Sequence, residues 1–401
     1  MRVDRGYQFL LSPGPTPIPD RILRAMHRQS VDFSGPDFME LCDRLFQDVK
    51  ALFQTDGIVH MFAANGHGGW EATLTNLLSP GDEVLIPETG VFSESWRSMA
   101  DAMGFQCRTV PSDWRRAIDP NGIEEALRAD TERKIKAVLF VHVETATGVK
   151  SDVAAARAAI DAAGHPALFC VDTIASLATT DFPMDKWGVD VTVAASQKGL
   201  MMPPGLSLVA TNDRAMEATK AATAPRRYWD WRTRIAGEHY QRFCGTAPEH
   251  QIFGLEEALK MIAEETLDGV IARHKRLARA VQAAVSRWAE AGAIQFNALN
   301  PQERADSVTS ILTPDGVDAE EIRATGREMN LHIGSGIGPF RGKGFRIGHM
   351  GDINEPMILG SLAAVELVLR RHGIPLGNGA VDAAVASLMD SAGQRAANAA
   401  E

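Results

Sequence analysis

Ala-Leu-Phe-Cys-Val-Asp-Thr at residues 167–173 and Val-Asp-Val-Thr-Val-Ala-Ala-Ser-Gln-Lys-Gly at residues 189–199 decide the fold. Each is a mostly apolar run of strand length that ends on polar residues, Asp172 in the first and Ser196-Gln197-Lys198 in the second. A carboxylate and a lysine at the exits of neighbouring strands stand where an α/β sheet usually places its ligand chemistry. Upstream, residues 137–143 make another apolar run, interrupted by His142, and Glu144-Thr145-Ala146-Thr147-Gly148 turns away from its end. Ser151-Asp152-Val153 then opens an alanine-rich helix to Ala163, which makes a right-handed βαβ unit with the Asp172 strand. Downstream, Pro203-Pro204-Gly205 breaks the chain and residues 206–210 give one more strand.

Further from this centre, residues 58–62 suggest a strand followed by Ala-Ala-Asn-Gly-His-Gly-Gly at 63–69 and helical periodicity from Trp70 to Leu78. Strand, glycine-rich loop and helix start together make an anion site, because backbone N–H groups converge at the positive end of the helix. The glycine spacing fits neither a dinucleotide fingerprint nor a Walker box. Strands are expected at 83–87 and 106–110 around a helix at 93–103, and helices at 21–29 and 37–53. Residues 10–19, Leu-Leu-Ser-Pro-Gly-Pro-Thr-Pro-Ile-Pro, read as an extended segment with a turn at Pro13-Gly14-Pro15. It serves either as a stiff arm on the surface or as a backbone edge lining a pocket. Residues 226–250 are irregular and aromatic, and a long amphipathic helix runs from 267 to 291. The remainder alternates strands (307–312, 331–334, 344–348) with helices (319–329, 356–370).

The class is therefore α/β: a large domain over residues 1–265 with an N-terminal arm, a smaller C-terminal α+β domain over 266–380, and an alanine-rich tail over 381–401, expected to be a frayed helix or disordered. A chain of 401 residues with 45% hydrophobic content supports two such cores. The formal charge of −10 lends no electrostatic support to a nucleic-acid partner. No apolar run approaches the ~20 residues of a membrane span. The four cysteines, Cys42, Cys107, Cys170 and Cys244, are scattered without a CxxC pair, which suits a reducing cytoplasm and argues against a metal cluster. Neither a secretory leader nor a lipidation box is recognisable at the ends, so a cytoplasmic location is expected.

Pyridoxal 5′-phosphate is the cofactor that needs both a lysine for its Schiff base and an acid at its pyridine nitrogen. Pro13-Gly14-Pro15-Thr16, residues 66–71, Asn76-Leu77-Leu78-Ser79-Pro80-Gly81-Asp82, residues 142–148, Val171-Asp172, Ser196-Gln197-Lys198-Gly199, Pro203-Pro204-Gly205 and Phe345-Arg346-Ile347-Gly348 occur together and in order. On these stretches, which span nearly the whole chain, the sequence resembles the class V, fold-type-I aminotransferases of the alanine–glyoxylate and serine–glyoxylate branch. The resemblance implies the fold-type-I architecture, with a mostly parallel central sheet in the large domain. It implies Lys198 as the cofactor-bearing lysine and proton shuttle, and Asp172 as partner of the pyridinium nitrogen. Gly66 and His67 would hold the phosphate through backbone N–H groups, with Gln197 adding a side-chain donor. Phe92 would stack on the ring, Ile174 would pack on its other face, and Thr145 would bond near the phenolic oxygen. Thr246 stands where a neighbouring subunit reaches the phosphate, which implies a homodimer with shared sites. Arg346 would clamp the substrate carboxylate in a bidentate fork, with Gly14, Phe33 and Asn65 also facing the substrate.

Three departures from the family pattern bear on the amino donor. Relatives acting on serine or aspartate carry an Asp-His-Arg-type loop where this chain has Asp32-Phe33-Ser34. A tyrosine that precedes the phosphate-contacting threonine by three residues is Phe243 here, which removes a hydroxyl contact. Glu249-His250 replaces part of a Thr-Pro-Pro pattern. Phe33 favours a small or less polar donor, unless Glu249 or His250 turns inward. The expected activity is a ping-pong transamination from serine, alanine or a similar amino acid to a 2-oxo acid, foremost glyoxylate. The alternatives are a ureidoglycine–glyoxylate or pyridoxamine–pyruvate transaminase, a desulfurase or lyase using Cys244, or a binding protein that kept the fold. The absence of an acid in residues 65–69 weakens the pyridoxamine–pyruvate reading.

Overall fold

The computed structural model describes residues 6–398. Seven strands form the larger sheet, in the order Ile58–Phe62, Ser207–Thr211, Val191–Ala195, Leu168–Asp172, Ile135–Val141, Glu83–Pro87, Gln106–Val110. Ser207–Thr211 runs antiparallel to both neighbours and every other pairing is parallel. The parallel strands are apolar on successive positions because both faces of the sheet are covered. Leu85, Val138, Phe140, Phe169 and Val171 face one core with Leu45, Leu52, Ile123, Leu127 and Ile160 of the flanking helices. Val84, Ile86, Leu139, Val141, Cys170 and Val193 face the other, against Trp70, Leu74, Trp96 and Ala100. The period of two along Leu168–Asp172 therefore turns Asp172 to the side where Trp70 lies. The register aligns Val141, Asp172 and Val193, so the carboxyl ends of the central strands share one edge.

The glycine-rich stretch expected as a loop is the first turn of a helix, Gly66–Leu77. Glycine disfavours a helix, but here the helix lies too close to its surroundings for side chains. A Cβ on Gly66 would sit 2.2 Å from Ile174 Cδ1, and one on Gly69 would sit 2.6 Å from Val193 Cγ1.

A second sheet runs Phe9–Leu11, Leu331–Ser335, Gly344–Gly348, Val308–Leu312, Gln295–Phe296. Phe9–Leu11 pairs parallel with Leu331–Ser335, and the other pairings are antiparallel. The N-terminal segment, read with the large domain as an arm, thus supplies an edge strand to the C-terminal sheet. Leu11 joins a core with Leu277, Val281, Val285, Trp288, Ile347 and Leu362. Of the two readings of the alanine-rich terminus the helix is the one observed: Ala380–Asn398 is helical, and Ala380 and Ala384 are buried in the same core as Leu11. Small side chains there allow close packing on the helix Leu267–Ala289, which local composition does not reveal. Residues 399–401 lie outside the described residues.

Candidate active site

A cavity of ≈ 310 Å³ opens at the carboxyl edge of the large sheet, lined by Gly14, Asn65, Gly66, His67, Phe92, Thr145, Asp172, Ile174, Gln197 and Lys198 among others. These were ten of the fourteen residues singled out from the sequence. A larger hollow of ≈ 840 Å³, lined among others by Arg44, Glu256 and Lys260, is of lesser interest because it lacks a buried lysine–carboxylate pair.

Asp172 is the last residue of its strand and is 4% exposed. Its Oδ1 accepts from the Ile174 N–H at 2.7 Å and its Oδ2 from Trp70 Nε1 at 2.8 Å. Burial lifts its carboxyl to about 7, against the pull of those two donors and of Lys198. Lys198 follows the strand Val191–Ala195 and is likewise buried. Burial, then the nearby Arg346, lowers its ammonium to about 8, while Asp172 and Glu144 act the other way. Its Nζ donates to the Pro13 carbonyl. The N-terminal segment is held against this stretch by Thr16, whose N–H donates to Gln197 O at 3.2 Å and whose Oγ1 donates to Lys198 O at 3.3 Å. Gly14, at φ +105°, leaves room for the lysine: a Cβ there would lie 2.5 Å from Lys198 Nζ. Of the two readings of residues 10–19, the pocket-lining edge is the one observed.

Asn65 caps the helix Gly66–Leu77, its Oδ1 accepting from the His67 N–H at 3.1 Å. First-turn N–H groups of a helix have no acceptor within it, so this end of the cavity is rich in donors. Gln197 carries a buried Oε1 without a hydrogen-bond partner. A cationic group, a paired acid and a donor-rich helix start around one apolar-walled cavity fit a phosphorylated aromatic aldehyde such as pyridoxal phosphate.

Four predicted residues do not line the cavity. Arg346 lies behind Thr145: Nη1 donates to Thr145 O at 3.0 Å and Nε to Ser335 O at 2.6 Å. Burial lowers its guanidinium to about 10. Phe33 packs on the large core, and Phe243 is buried beside Phe46 with ring centroids 5.9 Å apart. Thr246 is exposed. Glu249 and His250 do not turn inward either. Glu249 Oε2 accepts from the Val31 N–H at 3.1 Å and His250 Nε2 donates to Arg28 O at 2.9 Å, so both brace the Asp32-Phe33-Ser34 loop from behind. Cys244 lies outside the cavity as well.

Two residues of the site escaped sequence reasoning. Trp70 lines the cavity, holds Asp172 and stacks on Trp96 at 5.4 Å. It is four positions past Gly66, hence on the same helix face, but only if the helix begins in the glycines. Glu144, completely buried, accepts from Phe92 N–H at 2.9 Å through Oε2 and from Ala146 N–H at 3.1 Å through Oε1. A charged residue at the end of the two-residue strand Val143–Glu144 carries no local mark of burial.

Residues 8–338 match the family model described as Aminotransferase class-V. The chain is 41% identical over 391 residues to the serine–glyoxylate aminotransferase of Methylorubrum extorquens, with 96% of each chain covered. It is 40% identical over 371 residues to the L-aspartate–glyoxylate aminotransferase of Paracoccus denitrificans, covering 92% of this chain and 93% of that one. The crystal structure of pyridoxamine–pyruvate aminotransferase from Mesorhizobium loti superposes with a TM-score of 0.87 at 26% identity, over 97% of this chain and 100% of that chain. Such agreement along nearly the full length, in sequence and in fold, establishes that the chain belongs to the class-V aminotransferases.

Proposed function

We propose that this enzyme transfers the amino group of a small amino acid, such as serine or alanine, to a 2-oxo acid, foremost glyoxylate, in two half-reactions that share pyridoxal phosphate. The observation that carries the reading is Lys198 and Asp172 lining one cavity, with Asp172 fixed by Trp70 and Ile174. The acceptor follows from relatives that act on glyoxylate with serine or aspartate.

When bound, the cofactor supplies an electron sink for the charge left on the substrate α-carbon. Lys198 Nζ, lowered to about 8, exchanges a proton near neutral pH, which suits it to move the α-proton. Asp172 presents an anion to a protonated ring nitrogen. Gly66, His67 and Gln197 would hold the phosphate at the helix start that Asn65 caps, and Phe92 and Ile174 would give the ring apolar walls. Arg346 spends two of its N–H donors on carbonyls and keeps its Nη2 end for the α-carboxylate.

Two equal subunits complete the site in this reading. Exposed Thr246 and the Phe33 loop contribute to a neighbour's cavity rather than to their own. Residues 1–265 and 266–380 act as two folding units, apart from the strand Phe9–Leu11. No helix among the described residues is long and apolar enough to cross a membrane, and the unpaired cysteines favour a cytoplasmic location.

The test is a half-reaction. Cofactor-loaded protein mixed with serine or alanine loses its visible absorbance, and glyoxylate restores it. No spectral change with any amino acid refutes the proposal. Lys198→Ala is expected to abolish turnover while some cofactor stays bound, and unchanged turnover removes Lys198 from the chemistry.

A further inference from the structure

Glu144 takes no part in the chemistry outlined above, yet it is buried at the junction of two cavity walls. One wall is the start of the helix Val91–Ala102, which carries Phe92. There Glu144 Oε2 accepts from the N–H groups of Phe92 at 2.9 Å and Ser93 at 3.3 Å. The other wall is the turn carrying Thr145, where Oε1 accepts from the Ala146 N–H at 3.1 Å. That turn is anchored on the C-terminal sheet: Arg346 Nη1 donates to Thr145 O at 3.0 Å and Ser310 Oγ to Ala146 O at 3.1 Å. Gly90 makes the approach possible, since a Cβ there would lie 2.4 Å from Glu144 Cγ.

All three groups at the carboxylate are donors. An amide of the same shape would set its NH₂ against a backbone N–H, so the site is built for an anion. Asp172, Lys198 and Arg346 are the charged groups that act on it and on one another across the cavity.

We propose that Glu144 is a positioning residue: its carboxylate ties the helix start bearing Phe92 to the turn bearing Thr145, on whose carbonyl Arg346 is seated, and so sets the cofactor ring and the substrate clamp in mutual register. The inference rests on the reading of the cavity as a pyridoxal-phosphate site.

The experiment compares wild type, Glu144→Gln and Glu144→Asp as full chains. Cofactor affinity is measured by titrating apoprotein with pyridoxal phosphate and following tryptophan quenching. The visible circular dichroism of the saturated protein, the KM for the amino donor and the melting temperature are measured alongside. In Glu144→Gln the cofactor Kd is expected to rise about tenfold or more, the scale of one lost charge-assisted bond. KM is expected to rise with it, and the dichroic band to weaken at saturating cofactor because the ring loses its fixed orientation. Glu144→Asp keeps the charge but is one methylene shorter, and is expected to fall between. A purely stabilising residue would lower the melting temperature and leave the dichroic band of the saturated protein unchanged. A Gln variant with wild-type Kd, KM and band overturns the proposal while leaving the cavity's assignment intact. A wild-type chain that binds no pyridoxal phosphate overturns both. Should the Gln variant fail to fold, an Asp variant with wild-type Kd, KM and band is the overturning result.

Discussion

Asp172→Asn removes one negative charge from the cavity and leaves the side-chain shape nearly unchanged. Burial lifts this carboxyl from an ordinary 3.8 to about 7 in the folded chain. An acid that ionises less readily when folded binds more protons in the folded than in the unfolded state, so stability falls as pH rises. The penalty is absent below about pH 4, grows through about pH 7 and is constant above, reaching on the order of 4 kcal/mol in cofactor-free protein. The amide carries no such penalty. It does lose one of two acceptors, because Ile174 N–H and Trp70 Nε1 each donate to a separate oxygen at 2.7 and 2.8 Å. A buried donor left unpaired costs about 1–3 kcal/mol at every pH. The apo variant should therefore melt below wild type near pH 4 and at or above it near pH 8. Glu144, lifted to about 7 by burial and, to a lesser extent, by the Asp172 charge, adds a slope of the same sign to both proteins, shallower in the variant, which widens the contrast between them. Melting of both apoproteins by calorimetry from pH 4 to 8.5 is the assay. A melting-temperature difference that does not change with pH refutes the reasoning. With cofactor present the order should reverse, since wild type alone offers an anion to the protonated ring.

Gly14→Ala places a methyl group 2.5 Å from the Lys198 side chain at a φ of +105°, so kcat should fall by about 100-fold with modest loss of stability; an unchanged kcat in steady-state assays contradicts this. Arg346→Lys keeps the charge but loses the planar fork and the bond to Thr145 O. The kcat/KM for the amino donor should drop about 100-fold or more, while cofactor titration shows far less change. Equal kcat/KM for the two proteins removes Arg346 from carboxylate binding.

Much of this site was legible along the chain because its parts are local. Asp172 and Lys198 each close an apolar run, and runs buried on both faces of a parallel sheet announce themselves by composition. The glycines at 66–69 likewise marked a backbone site, though their helical conformation follows from contacts with Ile174 and Val193 that no local pattern records. Residues 10–19 could not be assigned alone, because their position depends on hydrogen bonds to Gln197 and Lys198 nearly two hundred positions away. The alanine-rich terminus, read as a frayed helix or as disordered, could not be decided locally for a similar reason: such a segment gains its order from the helix it packs on, not from its own side chains.

By itself, then, the sequence determined the kind of chemistry: a lysine and an acid at strand exits, an arginine between glycines, and an order of motifs that the comparisons bear out. Only the tertiary structure decided how those groups are held. Trp70 fixes the orientation of Asp172, Glu144 joins two walls through three backbone donors, and Glu249 and His250 face the Arg28–Val31 backbone rather than the cavity. The physical reason is that a charge's ionisation and direction depend on what desolvates it and what donates to it. In this chain those partners come from other elements, often more than fifty residues away in sequence.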